Sequence, residues 1–127
     1  MDKYSPGYVM RIMALDAITT IIGLSVWVAP FALGWYPGGF DTMLHVTLGA
    51  LITVLGAFRV LVAYRSEWIE IVLFPLGLFV LLMPHWLHME WNANYTNAHR
   101  IAGGVVMAVA VISGLMTVME NKKHPAY

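Results

Sequence analysis

The sequence predicts an all-α integral membrane protein, four transmembrane helices built from two tandem, parallel two-helix repeats. Three observations carry this expectation. Of 127 residues, 60% are hydrophobic and 11% are charged, against about 45–50% and about 25% in soluble domains. Four apolar stretches each reach the roughly 20 residues that a helix needs to cross a bilayer. The chain also aligns with itself, without a gap, at a shift of 54 residues. Net charge is zero, so no basic surface points to nucleic acid. Cysteine is absent, which excludes disulfides, thiolate metal sites and thiol nucleophiles.

The spans are expected at Ile12–Trp35, Met43–Tyr64, Trp68–Met89 and Ala98–Met119. The first lacks a small-residue cleavage site and is too long for a signal peptide. Short connections make the helices antiparallel neighbours, in one membrane domain over 1–127. Lys3, Arg11, Arg59, Arg65, Lys122 and Lys123 fall on one side of the spans, and Arg100 alone falls on the other. The positive-inside rule then places both termini in the cytoplasm. Trp35, Tyr36, Trp86, Trp91 and Tyr95 are expected in an outer aromatic belt, and Tyr8, Tyr64 and Trp68 in an inner one.

The internal match defines repeat 1 as about 11–64 and repeat 2 as about 65–119. Arg11 falls on Arg65, Asp16 on Glu70, Gly23 on Gly77, Pro30 on Pro84, His45 on His99 and Gly49 on Gly103. Each unit contributes two spans, so both units share one orientation, and the pseudo-twofold axis runs along the membrane normal. The stretches Gly23-Leu-Ser-Val-Trp-Val-Ala-Pro-Phe-Ala-Leu-Gly-Trp35 and Gly77-Leu-Phe-Val-Leu-Leu-Met-Pro-His-Trp86 resemble the SPW-repeat integral membrane proteins, whose two-helix units carry a Ser-Pro-Trp turn near a helix end. Here Ala29 and Met83 stand for the serine, and Phe31 and His85 for the tryptophan. The resemblance implies a four-helix membrane unit and brings no established reaction.

Pro30 and Pro84 are expected to end their helices, because proline removes a backbone donor and clashes with the preceding turn. Pro75, matched by Ile21 in the first half, is expected to bend the third helix alone. Asp16 is expected to snorkel to the interface; an interhelical ion pair and a proton-carrying carboxylate are the other readings. Small residues let helix backbones approach in lipid. Gly49, Gly103 and Gly114 are therefore expected to pack helices, with a central contact between the second and fourth spans.

His45 and His99 open the second and fourth spans at equivalent positions and are candidate axial ligands for haem or a chlorin. His85, His88 and Glu90 are candidate ligands for a divalent metal. No cofactor is favoured, because nothing in the sequence aims these groups at one point. Trp86 and Trp91 are expected to bind a partner, since large aromatic side chains dominate contact energy. The expected function is a non-catalytic scaffold or accessory subunit of a larger membrane complex, and not an enzyme. Its partners are the lipid bilayer and either other membrane subunits or further copies of itself. The alternative is a haem-, chlorin- or metal-binding membrane protein using the outer histidines. A small proton-coupled transporter with Asp16 as its proton site comes third, because its kind shows weak charge bias.

Overall fold

The computed structural model describes residues 5–34, 38–61, 67–88 and 92–123. They form four helices: α1 (Pro6–Ala32), α2 (Phe40–Leu61), α3 (Glu67–Trp86) and α4 (Ala93–Lys123). Each is long and apolar enough to cross a membrane. Many large apolar side chains face outward, among them Ile21, Val54, Ile71, Ile101 and Leu115. Lipid is the solvent that such a surface needs.

Caps carry the helices beyond their apolar spans. Ser5 caps α1, its Oγ accepting from the Tyr8 N–H at 3.2 Å, and Pro6 follows where its missing donor costs nothing. Asn92 Oδ1 accepts from the Tyr95 N–H at 3.1 Å at the start of α4. The α1 and α4 helices therefore begin several residues before the predicted spans. Pro30 and Pro84 each lie two residues before the last helical residue of α1 and α3, and both are buried. The α3 helix runs unbroken through Pro75. Past the two helix ends, Gly34 and His88 adopt the left-handed region, with φ of 73° and 56°.

The α1 helix packs along α2, and α3 along α4; the two hairpins meet through the α1–α4 and α2–α3 edges. Glycine makes the hairpins tight. A Cβ on Gly49 would lie 2.4 Å from the Trp27 nitrogen, and one on Gly103 would lie 2.5 Å from the Gly77 carbonyl oxygen and 2.6 Å from the Leu81 nitrogen. This corrects the expected central contact. Gly49 meets α1 and Gly103 meets α3, and no described Cα of α2 comes within 8 Å of one in α4. The two helices lie diagonally across the bundle, so only long side chains bridge them. Gly114 packs loosely, since a Cβ there would find Glu70 Cβ at an ordinary 3.6 Å.

The interior is layered. Val26, Ile52, Ile69, Leu73, Val80, Val106 and Ala110 fill the middle. Buried polar groups close both ends: Asp16, Arg59, Glu70 and Thr117 at one, and His45, Tyr95 and His99 at the other.

Candidate functional site

The first polar layer takes one side chain from each helix. Asp16 lies nearly three turns into α1, on the stripe that buries Ile12, Thr19 and Gly23. Arg59, in the last turn of α2, is fully buried and donates from Nε to Asp16 Oδ2 at 2.8 Å. Glu70 Oε1 of α3 lies 2.9 Å from the same Nε. That nitrogen has one hydrogen, and it points at Asp16. The second contact is therefore coulombic, and neither Glu70 oxygen accepts a hydrogen bond. Arg59 also donates to Thr117 Oγ1 of α4 at 2.5 Å, and the Tyr8 hydroxyl reaches that same oxygen at 3.0 Å. Thr117 Oγ1 in turn donates to the Ser113 carbonyl at 2.8 Å.

One guanidinium thus faces two carboxylates in a membrane interior. Three of the four carboxylate oxygens, Asp16 Oδ1 and both of Glu70, have no hydrogen-bond partner. Asp16 does not reach the interface: it is buried and ion-paired across helices, which overturns the snorkelling expectation and bears out the ion-pair reading. Arg59, expected among the interfacial cations, lies at the centre of the cluster. Its signal was its asymmetry. Arg59 stands inside an apolar span, and the position 54 residues on holds Ser113.

The second layer joins α2 and α4. His45 Nε2 and His99 Nε2 lie 2.8 Å apart. His45 Nδ1 faces the Asp41 carbonyl at 2.8 Å, and His99 Nδ1 faces the Tyr95 carbonyl at 3.0 Å. A carbonyl only accepts, so each Nδ1 that keeps its contact carries a hydrogen. Both Nε2 atoms then turn lone pairs toward each other. One proton placed between them satisfies the contact, as does a tautomer change that gives up one carbonyl bond. The Tyr95 hydroxyl lies 3.2 Å from His45 Nε2, and its ring stacks on His99 at 4.1 Å.

This geometry bears directly on the predicted ligand sets. Two imidazoles bound to one iron from opposite sides need about 4 Å between their nitrogens, twice a typical metal–nitrogen bond of about 2 Å. As placed, His45 and His99 form a hydrogen bond instead. His85 and His88 are exposed at the end of α3 and do not join that pair. No group of three potential metal ligands occurs among the described residues. Glu90 and Trp91 lie outside the described residues, as do Trp35, Tyr36, Tyr64 and Arg65. Trp86 is exposed, and its ring meets Phe79 edge-on at 4.9 Å. Tyr8 and Tyr95, expected in aromatic belts, are buried and hydrogen-bonded.

A family model described as the SPW repeat domain matches residues 13–113. The chain belongs to the SPW repeat family. No curated protein and no solved structure matches it. Family membership and four apolar helices make this SPW repeat protein an integral, multi-pass membrane protein. The matched range holds Pro30 and Pro84, and all of Asp16, His45, Arg59, Glu70 and His99. It ends before Thr117.

Proposed function

We propose that this SPW repeat protein is a non-catalytic scaffold, an accessory subunit that presents a rigid four-helix unit to a larger membrane complex. The observation that carries this reading is the Arg59 cluster. All four helices meet in it through Asp16, Arg59, Glu70 and Thr117. Charged groups buried and paired across helices fix register and neighbours even where their net stabilisation is small.

The same reading treats the chain as a duplicated two-helix unit, one domain over 1–127 with both termini cytoplasmic. Residues 54 apart meet only when they lie near the axis that relates the repeats, and His45 with His99 supports that placement. Asp16 and Glu70, also 54 apart in sequence, share one arginine nitrogen and support it too. Trp86, paired with Phe79 on the exposed face of α3, is the proposed anchor for another membrane chain, together with Trp91. Self-association through the same face is the competing outcome.

Purification from native membranes in mild detergent tests the proposal. Another membrane chain is expected to co-purify, and Trp86→Ala to weaken its retention. A chain that always runs alone, with or without Trp86, contradicts it.

A further inference from the structure

Asp16 and Glu70 belong to different hairpins, on α1 and α3, which lie diagonally across the bundle. Their side chains nevertheless meet at one atom. Arg59 Nε lies 2.8 Å from Asp16 Oδ2 and 2.9 Å from Glu70 Oε1. Both acids are buried, Asp16 at 0% exposure and Glu70 at 3%. Asp16 Oδ1 and both Glu70 oxygens have no hydrogen-bond partner. A proton carried by Glu70 is placed to bond Asp16.

Charges and donors point the same way. Around the acids stand Tyr8 from α1, Arg59 from α2, and Ser113 and Thr117 from α4. Among the described residues of this layer, Arg59 is the only cation. One turn beyond Thr117, Glu120 accepts from the Ser5 N–H at 3.3 Å and lies 3.9 Å from Lys123 Nζ, so it has a cation of its own. Arg11 and Lys122 are exposed. Two ionised carboxylates around one guanidinium therefore leave a buried negative charge in excess, which hydrocarbon surroundings disfavour. A water molecule supplies hydrogens but leaves that charge. One proton removes the charge and gives an orphaned oxygen a donor.

We propose that Asp16 and Glu70 form a proton-binding site that holds a single proton between them at neutral pH and bridges the two hairpins through it. The proton belongs to the pair rather than to either acid. Its loss leaves two negative charges on opposite hairpins and weakens their contact. This goes beyond the scaffold reading and does not depend on it.

Infrared spectroscopy of the purified full-length chain in detergent tests this, because a protonated carboxyl has a C=O band that a carboxylate lacks. One protonated carboxyl per chain is expected at neutral pH. Asp16→Asn and Glu70→Gln keep the side-chain size, and each leaves one carboxylate for one guanidinium. Each alone is therefore expected to abolish the band. Unfolding in the same detergent gives a second readout. Acids exposed by unfolding have released their protons at neutral pH. The folded chain then binds one proton more, so its stability falls as pH rises. Per pH unit, the unfolding equilibrium of the unaltered chain is expected to move toward the unfolded form about tenfold more than that of Glu70→Gln. Absence of a protonated carboxyl in the unaltered chain overturns the proposal, whether or not the variants fold. A band lost in Glu70→Gln but kept in Asp16→Asn overturns it too, since one acid then holds its proton alone. Equal pH slopes in the unaltered chain and Glu70→Gln do the same.

Discussion

His45 and His99 stand 54 residues apart in sequence, and their Nε2 atoms meet at 2.8 Å in the bundle interior. With both Nδ1 atoms facing carbonyls, a single proton between the rings satisfies every ring nitrogen. Selective ¹⁵N-histidine labelling in detergent is expected to show coupling across this hydrogen bond between the two Nε2 atoms. The signal should vanish in His99→Ala, which should also cost about 0.5–1.5 kcal/mol by removing the bond between α2 and α4, while the Tyr95 hydroxyl still reaches His45 Nε2. Two uncoupled rings in the unaltered protein would contradict the arrangement.

Gly49 and Gly103 act in separate hairpins. Each leucine substitution forces a side chain into a neighbouring backbone and is expected to destabilise strongly. Because α2 and α4 keep more than 8 Å between their described Cα atoms, the two costs should add within about 0.5 kcal/mol. Strong non-additivity in unfolding measurements would instead indicate a direct contact between the two glycines.

His88 occupies the left-handed region at the end of α3, as Gly34 does at the end of α1. A residue with a Cβ pays about 1–2 kcal/mol there, and glycine does not. His88→Gly is expected to raise the unfolding free energy by about that amount, and the midpoint with it. A lower midpoint would mean that the imidazole makes a contact worth more than the backbone cost.

The proposed orientation, with both termini cytoplasmic, rests on the sequence positions of Lys3, Arg11, Arg65, Lys122 and Lys123, with Arg59 now assigned to the interior. Since the chain has no native cysteine, Asn94→Cys gives a single label site. It is expected to react with an impermeant reagent from the outer side of intact cells. Reaction only after the cytoplasmic side is opened would reverse the topology.

Much of the fold was legible because lipid demands long apolar helices and leaves few alternatives. Both prolines near helix ends could be read the same way, since proline acts on its own backbone. The glycine partners could not. Gly49 and Gly103 advertise a close approach, but only the three-dimensional arrangement decides which helix approaches. The site was half legible: the 54-residue shift singled out Asp16, Glu70, His45 and His99. Arg59 and Thr117 have no counterpart in the repeat, and Tyr8 reads as an interfacial aromatic. Their roles depend on distances between helices that periodicity does not encode. Tyr95 was misplaced for a related reason, because its hydroxyl finds a partner in a histidine 50 positions away.

The central claim is that Arg59 holds the four helices together by pairing two buried carboxylates, and its most direct test is the unfolding free energy of three variants in detergent. Arg59→Met leaves both acids without a cation and is expected to cost about 3–5 kcal/mol. Asp16→Asn with Glu70→Gln, added to Arg59→Met, removes the stranded charges and is expected to recover most of that loss. The double amide variant alone strands the arginine and should fall well below the triple variant. If Arg59→Met costs no more than a lipid-facing substitution, or if neutralising the acids restores nothing, Arg59 does not lock the bundle.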